Sequence, residues 1–168
     1  MTMIEIRPEA RDTAGVIAPP PLLLVAVIVL GLLLDWLLPA YVLTVLLTLP
    51  ARIVIAVVLM SAAAWLSISA VRGFRSAGTN PEPWKPSTAL VTDGIFGRLR
   101  NPMYVGGTLL LAGLAILLAS DWMLVMTIVF VPVIHFGVVK REERYLEKKF
   151  GDDYRRYKDS VPRYGWPP

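Results

Sequence analysis

Cysteine is missing from the 168 residues, and histidine occurs once, as His135. Disulfides, thiolate nucleophiles and cysteine-ligated metals are thereby excluded, as is a multi-histidine metal site. No metal is expected. Charge is scarce as well: between Asp12 and Arg72 the only ionisable side chains are Asp35, Arg52 and Tyr41. Charged residues make up 18% of the chain and hydrophobic residues 55%, a balance that suits a bilayer better than a soluble domain. The formal net charge of +4 does not point to nucleic acid, because the basic residues follow the membrane.

What is present is a series of apolar runs. The first extends from Leu22 to Leu38, the second from about Arg52 to Val71, the third from Met103 to Ala119 and the fourth from Trp122 to Val139. The stretch Tyr41 to Leu49, between Pro39 and Pro50, is too short to cross and reads as a turn or interfacial segment. Ser120 and Asp121 alone separate the last two runs, which predicts a tight antiparallel hairpin. The expected fold is therefore all-α, an integral membrane bundle of about four transmembrane helices.

An even number of spans puts both termini on one side. All of the 17 lysines and arginines except Arg52 fall there, which predicts that both termini are cytoplasmic. Trp36, Tyr41 and Trp122 fall at the opposite ends, as interfacial anchors do. Residues 1–21 lack the order of a signal peptide and read as a retained, partly flexible N-terminal tail. Residues 22–168 read as a single membrane domain. Apolar and aromatic residues at Tyr145, Leu146, Phe150, Tyr154 and Tyr157 predict a C-terminal amphipathic cytoplasmic helix, broken at Gly151.

The polar elements gather at one membrane face. The loop from Arg72 to Arg100 is long, and its apolar content argues for order. Gly94 in "TDG" suits a turn with positive φ. Asn101 and Pro102 read as an N-cap and first helical residue. Arg98 and Arg100 stand just before that start, a combination suited to an anion. Gly106 and Gly107 permit close approach of either a helix or a ligand. On the fourth run His135, Val139, Glu142 and Leu146 share one helical face, with Glu143 beside it. Pro132 and Gly137 make bending easy near His135. Each feature has a structural explanation of its own: a cap, helix packing, a buried histidine, a solvated charge run. Their convergence suggests a pocket for an amphipathic ligand with an anionic and a cationic end.

The segments "NPEPWKPSTALVTDGIFGRLRNPMYVGG" and "HFGVVKREERYLEKKFGDDYRRYKDSVPRY" resemble the isoprenylcysteine carboxyl methyltransferase and phospholipid N-methyltransferase superfamily. The resemblance covers about residues 80–163, and the first 70 residues match only as generic spans. It implies S-adenosylmethionine as cofactor. It further implies that Arg100, Asn101, Pro102, Tyr104, Gly106, His135, Glu142 and Glu143 bind the cofactor, with Glu142, Glu143 and Arg100 catalytic. The acceptor would be a lipophilic molecule in contact with membrane lipids, in a bacterial inner membrane, with the site facing the cytoplasm. Isoprenylcysteine enzymes usually carry histidine where this chain has Asn101. The alternative is a non-enzymatic four-helix membrane protein, a small transporter or an assembly partner, in which Asp35 would matter more.

Overall fold

The computed structural model describes residues 12–165. Among them it is all-helical: α1 (Pro20–Leu37), α2 (Val42–Leu46), α3 (Leu49–Ser76), α4 (Pro102–Leu118), α5 (Asp121–Ile134), α6 (Lys140–Phe150) and α7 (Asp152–Ser160). A single 3-10 turn, Gly94–Gly97, precedes α4, and a π turn, His135–Val139, joins α5 to α6. Pro20, Pro50 and Pro102 stand in the first turns of α1, α3 and α4, where the missing N–H costs no helix bond.

Among the described residues, three stretches are long and apolar enough to cross a membrane: Pro20–Leu37, Leu49–Ser76 and Asp121–Phe150. The fourth, α4, has 17 residues, about 25 Å at 1.5 Å per residue and at the short limit for a span. It is also the inner helix, packed on both α3 and α5, with Leu111 and Ala115 wholly buried.

A seam of small residues holds α3 to α4. Ala56, Ala63 and Ala70 recur every seven residues on α3 and are buried. Gly113 and Gly106 face them on the antiparallel α4. A Cβ on Gly113 would come within 2.8 Å of Met60, and one on Gly106 within 2.7 Å of Ser67 Oγ and 3.1 Å of the Ala63 carbonyl. Small residues admit this backbone approach, and dispersion supplies the attraction that a hydrophobic effect cannot in lipid. Gly31 of α1 meets the backbone of Met123 on α5 in the same way.

At the far end, carboxylates tie the turns together. Asp35 accepts from the Ser120 hydroxyl and, at 3.2 Å, from Trp122 N. Ser120 Oγ in turn accepts from Met123 N, capping α5. Asp121 accepts from Val42 N and Leu43 N at 2.9 Å each, capping α2. Asp35 is thus a structural cap on the hairpin rather than a free charge.

Two expectations change at the near end. The second span does not stop at Val71. Helix α3 continues to Ser76, because nothing breaks it until Gly78 adopts φ +64°. The tail of residues 1–21 lies partly outside the described residues. Its described part is docked: Ala14 N donates to Pro83 O, Ile17 N to the π-turn carbonyl of Gly137, and Arg141 Nη1 to Gly15 O. A π turn leaves carbonyls without a helical partner, and here Ile17 takes one of them. The expected break at Gly151 is present, with φ +56°. Helix α7 buries Tyr154 and Tyr157 against Ala70, Ile95 and Phe96, so it docks on the bundle.

Candidate functional site

The start of α4, the α6 carboxylates and the chain after α7 meet at one place. Helix α7 and the following turn bring Pro162 and Arg163 onto the α4 N-terminus. Arg100 N donates to Pro162 O at 2.9 Å, and Asn101 Nδ2 donates to Arg163 O at 3.2 Å. Asn101 therefore occupies the N-cap position without capping: its side chain makes no cap bond to α4 and clasps the C-terminal segment instead. The expected anion site loses the Arg100 N–H for the same reason. The two arginines also part company, with Arg98 exposed and Arg100 buried at the side chain.

The two glutamates differ in role. Glu143 is buried and fully engaged. Arg163 Nε and Nη2 donate to its two oxygens at 2.8 Å each, a bidentate pair. Arg100 Nη1 lies 3.0 Å from Glu143 Oε1. Among the described residues Glu142 has a single partner, the Tyr104 hydroxyl, which donates to Oε2 at 2.6 Å. Its other oxygen is not engaged by any described residue.

Arg100 is the informative residue. Its side chain is 7% exposed. Although close to Glu143, Nη1 misses the hydrogen-bond direction, and Nε also has no partner among the described residues. Buried donors left unmade cost roughly 1–3 kcal/mol each, and such groups are ordinarily completed by protein, water or a bound ligand.

These groups line one cavity: Arg100, Asn101, Glu142 and Glu143, with Tyr154 behind and the Asn80–Pro83 stretch as roof. Burial pushes the Tyr154 phenol well up, and pushes Tyr164 up to about 12, so both remain neutral donors. The cavity encloses about 50 Å³, well below the roughly 300 Å³ of small-molecule sites. The roof is held by Ser87 N donating to the Tyr145 hydroxyl at 3.1 Å and by Thr88 N donating to Thr79 Oγ1 at 2.9 Å. A second pocket of about 170 Å³ lies beyond Tyr104, walled by Leu24, Met103, Gly107, Phe130 and Trp84.

The remaining sequence candidates fall elsewhere. Pro102 is buried at the helix start. Gly106 faces α3, so the close approach it permits is that of a helix. His135 does not line the cavity. The 3.6-residue period places it with Glu142, but the π turn inserts a residue between them and turns its ring to Tyr164, with Nδ1 2.8 Å from the hydroxyl. Arg163, Tyr154 and Tyr164 were not singled out as site residues. The spaced tyrosines and the "VPRY" that closes the matching segment were the available signal.

A model of the phospholipid methyltransferase family matches residues 51–153, more than half of the chain. The chain belongs to this family. The matched stretch of this family member includes α4, Tyr104 and both glutamates, and ends before Arg163. The chain is 40% identical over 76 residues to a protein-S-isoprenylcysteine O-methyltransferase from Schizosaccharomyces pombe, covering 44% of this chain and 31% of that protein. It is 42% identical over 62 residues to an uncharacterized protein from Haemophilus influenzae, covering 37% of this chain and 98% of that one. No solved structure gives a significant match.

Proposed function

We propose that the protein transfers a methyl group from S-adenosylmethionine to a lipid-like acceptor at the cytoplasmic membrane face, in a bacterial inner membrane. The carrying observation is Arg100, a buried guanidinium ion-paired with Glu143 whose Nε has no hydrogen-bond partner among the described residues, beside a half-free Glu142. The methionine end of the cofactor has a carboxylate and an ammonium, and this donor set matches both. Arg100 Nε would donate to one carboxylate oxygen, and the free oxygen of Glu142 would take the ammonium. Asn101 and Tyr154 complete the wall. Pro102 sets the helix start, and Gly106 and His135 act from outside the cavity. When bound, the cofactor supplies an electrophilic methyl on a sulfonium.

The chain's own residues do the rest. The Asn80–Val91 loop lifts to admit the cofactor and closes to exclude water. Tyr104 stands between the polar cavity and the apolar pocket, so the acceptor's tail lies along Leu24, Met103 and Phe130 with its nucleophile near the phenol. Orientation of the two reactants accounts for most of the rate. A carboxylate acceptor loses no proton. An amine or phenol acceptor does, and the Tyr104 hydroxyl would relay it to Glu142 Oε2, the oxygen not given to the ammonium, whereas Glu143 is held by two arginines.

The test is a labelled-methyl assay on purified protein with extracted bacterial lipids. Label in an apolar product is expected. Release of the label as methanol by alkali identifies carboxyl O-methylation, and retention identifies N-methylation or an ether. No incorporation into any lipid fraction by folded protein would overturn the reading.

A further inference from the structure

A larger cavity of about 720 Å³ lies on the other side of the Leu90–Val91 segment from Arg100, between the end of α3 and the 3-10 turn. Its α3 wall is Trp65, Ser69, Arg72 and Ser76, spaced four, three and four residues apart and therefore on one helix face. Arg98 stands opposite. Both arginines are exposed. Arg100, Arg155, Arg156 and Arg163 are all paired with carboxylates. Arg72 and Arg98 make no ion pair and no side-chain hydrogen bond among the described residues. Asp93, also on the rim, pairs with neither.

Depth along α3 adds the second half of the pattern. Trp65 is 55% exposed, and Ile68 and Val58 nearby are exposed as well, on a helix apolar enough to cross the membrane. It lies seven residues before Arg72, about 10 Å along the axis. The groove thus runs from an aromatic side chain at the hydrocarbon level to two unpaired guanidiniums at the headgroup level.

We infer that this groove binds an anionic phospholipid, with its phosphate between Arg72 and Arg98 and an acyl chain along Trp65. The occupant is not the methyl acceptor. Neither Glu142 nor Tyr104 lines the groove, and two guanidiniums repel the cationic amine of an amine headgroup. Because Leu90 and Val91 wall both cavities, the bound lipid steadies the loop that roofs the polar one. Each basic side chain near an anionic headgroup favours binding about fivefold, so the pair gives roughly thirtyfold selectivity over a zwitterionic lipid.

The experiment reconstitutes the full chain in phosphatidylcholine bilayers and reads Trp65 fluorescence as the difference between wild type and Trp65→Phe. Brominated phosphatidylglycerol is expected to quench Trp65 at a mole fraction roughly thirtyfold lower than brominated phosphatidylcholine. The double variant Arg72→Gln/Arg98→Gln is expected to remove the preference. Arg155→Gln/Arg156→Gln on α7 is expected to keep it. Equal quenching of the wild type by both lipids, which requires no variant to fold, would overturn the inference. So would a preference that survives the double variant. Displacement of the brominated lipid by millimolar inorganic phosphate would show that the groove binds the phosphate group alone, and would overturn the lipid assignment.

Discussion

Glu142 and Glu143 are neighbours in sequence, and a Glu→Gln exchange at each should do opposite things. Glu143 is 8% exposed and holds two arginines. Glu143→Gln keeps the volume but leaves Arg100 and Arg163 without their counter-charge. Breaking one partner of a buried pair costs about 3–5 kcal/mol. Arg163 is 32% exposed at the side chain and can turn to water, whereas Arg100, at 7%, cannot. The expected loss is therefore near the lower bound, about 3 kcal/mol. The clasp between the C-terminal segment and α4 should loosen with it. Glu142→Gln, by contrast, keeps an acceptor for the Tyr104 hydroxyl and removes a charge that no cation balances. Its stability should stay within about 0.5 kcal/mol of wild type, while cofactor affinity falls. Tryptophan-monitored thermal melts in mild detergent measure the first effect, and cofactor titration of the same samples measures the second. The reasoning is refuted if Glu143→Gln melts with wild type and Glu142→Gln unfolds.

Gly106→Ala should destabilise by roughly 1–3 kcal/mol through overpacking against Ser67 and the Ala63 carbonyl. Adding Ser67→Gly should recover part of that loss in the same melts, and a variant that keeps its stability but loses cofactor would return Gly106 to the site. Asp35→Asn should cost about 1 kcal/mol by weakening the Ser120 and Trp122 cap and leave cofactor affinity unchanged. If it abolished activity in a stable protein, the transport-like reading of Asp35 would stand instead.

The helices were legible because prolines and apolar runs mark them locally. The short segment between Pro39 and Pro50, the Ser120–Asp121 hairpin and the Gly151 break follow from the same punctuation. What was not legible depends on distant partners. Asn101 is an ordinary N-cap residue in sequence, and only the docking of α7 gives its amide Arg163 O to bond. Gly106 is equally compatible with a ligand and a helix until α3 is placed against it. The π turn defeats periodicity outright, since an inserted residue changes which side chains share a face. Arg72 and Arg75 resembled the start of a loop because they are polar, but polarity alone does not end a helix. The sequence singles out Glu142 and Glu143 only as a pair. Its division into one held and one free member rests on Arg163, twenty residues away.

The central claim is that Arg100 and Glu142 hold the amino-acid end of a methyl donor. Calorimetric titration of the purified protein with S-adenosylmethionine tests it directly. The account predicts saturable one-to-one binding, weakened about tenfold or more by Arg100→Gln and by Glu142→Gln, in variants whose melts show them folded. Binding unaltered by both substitutions, or no binding by folded wild type, would contradict it.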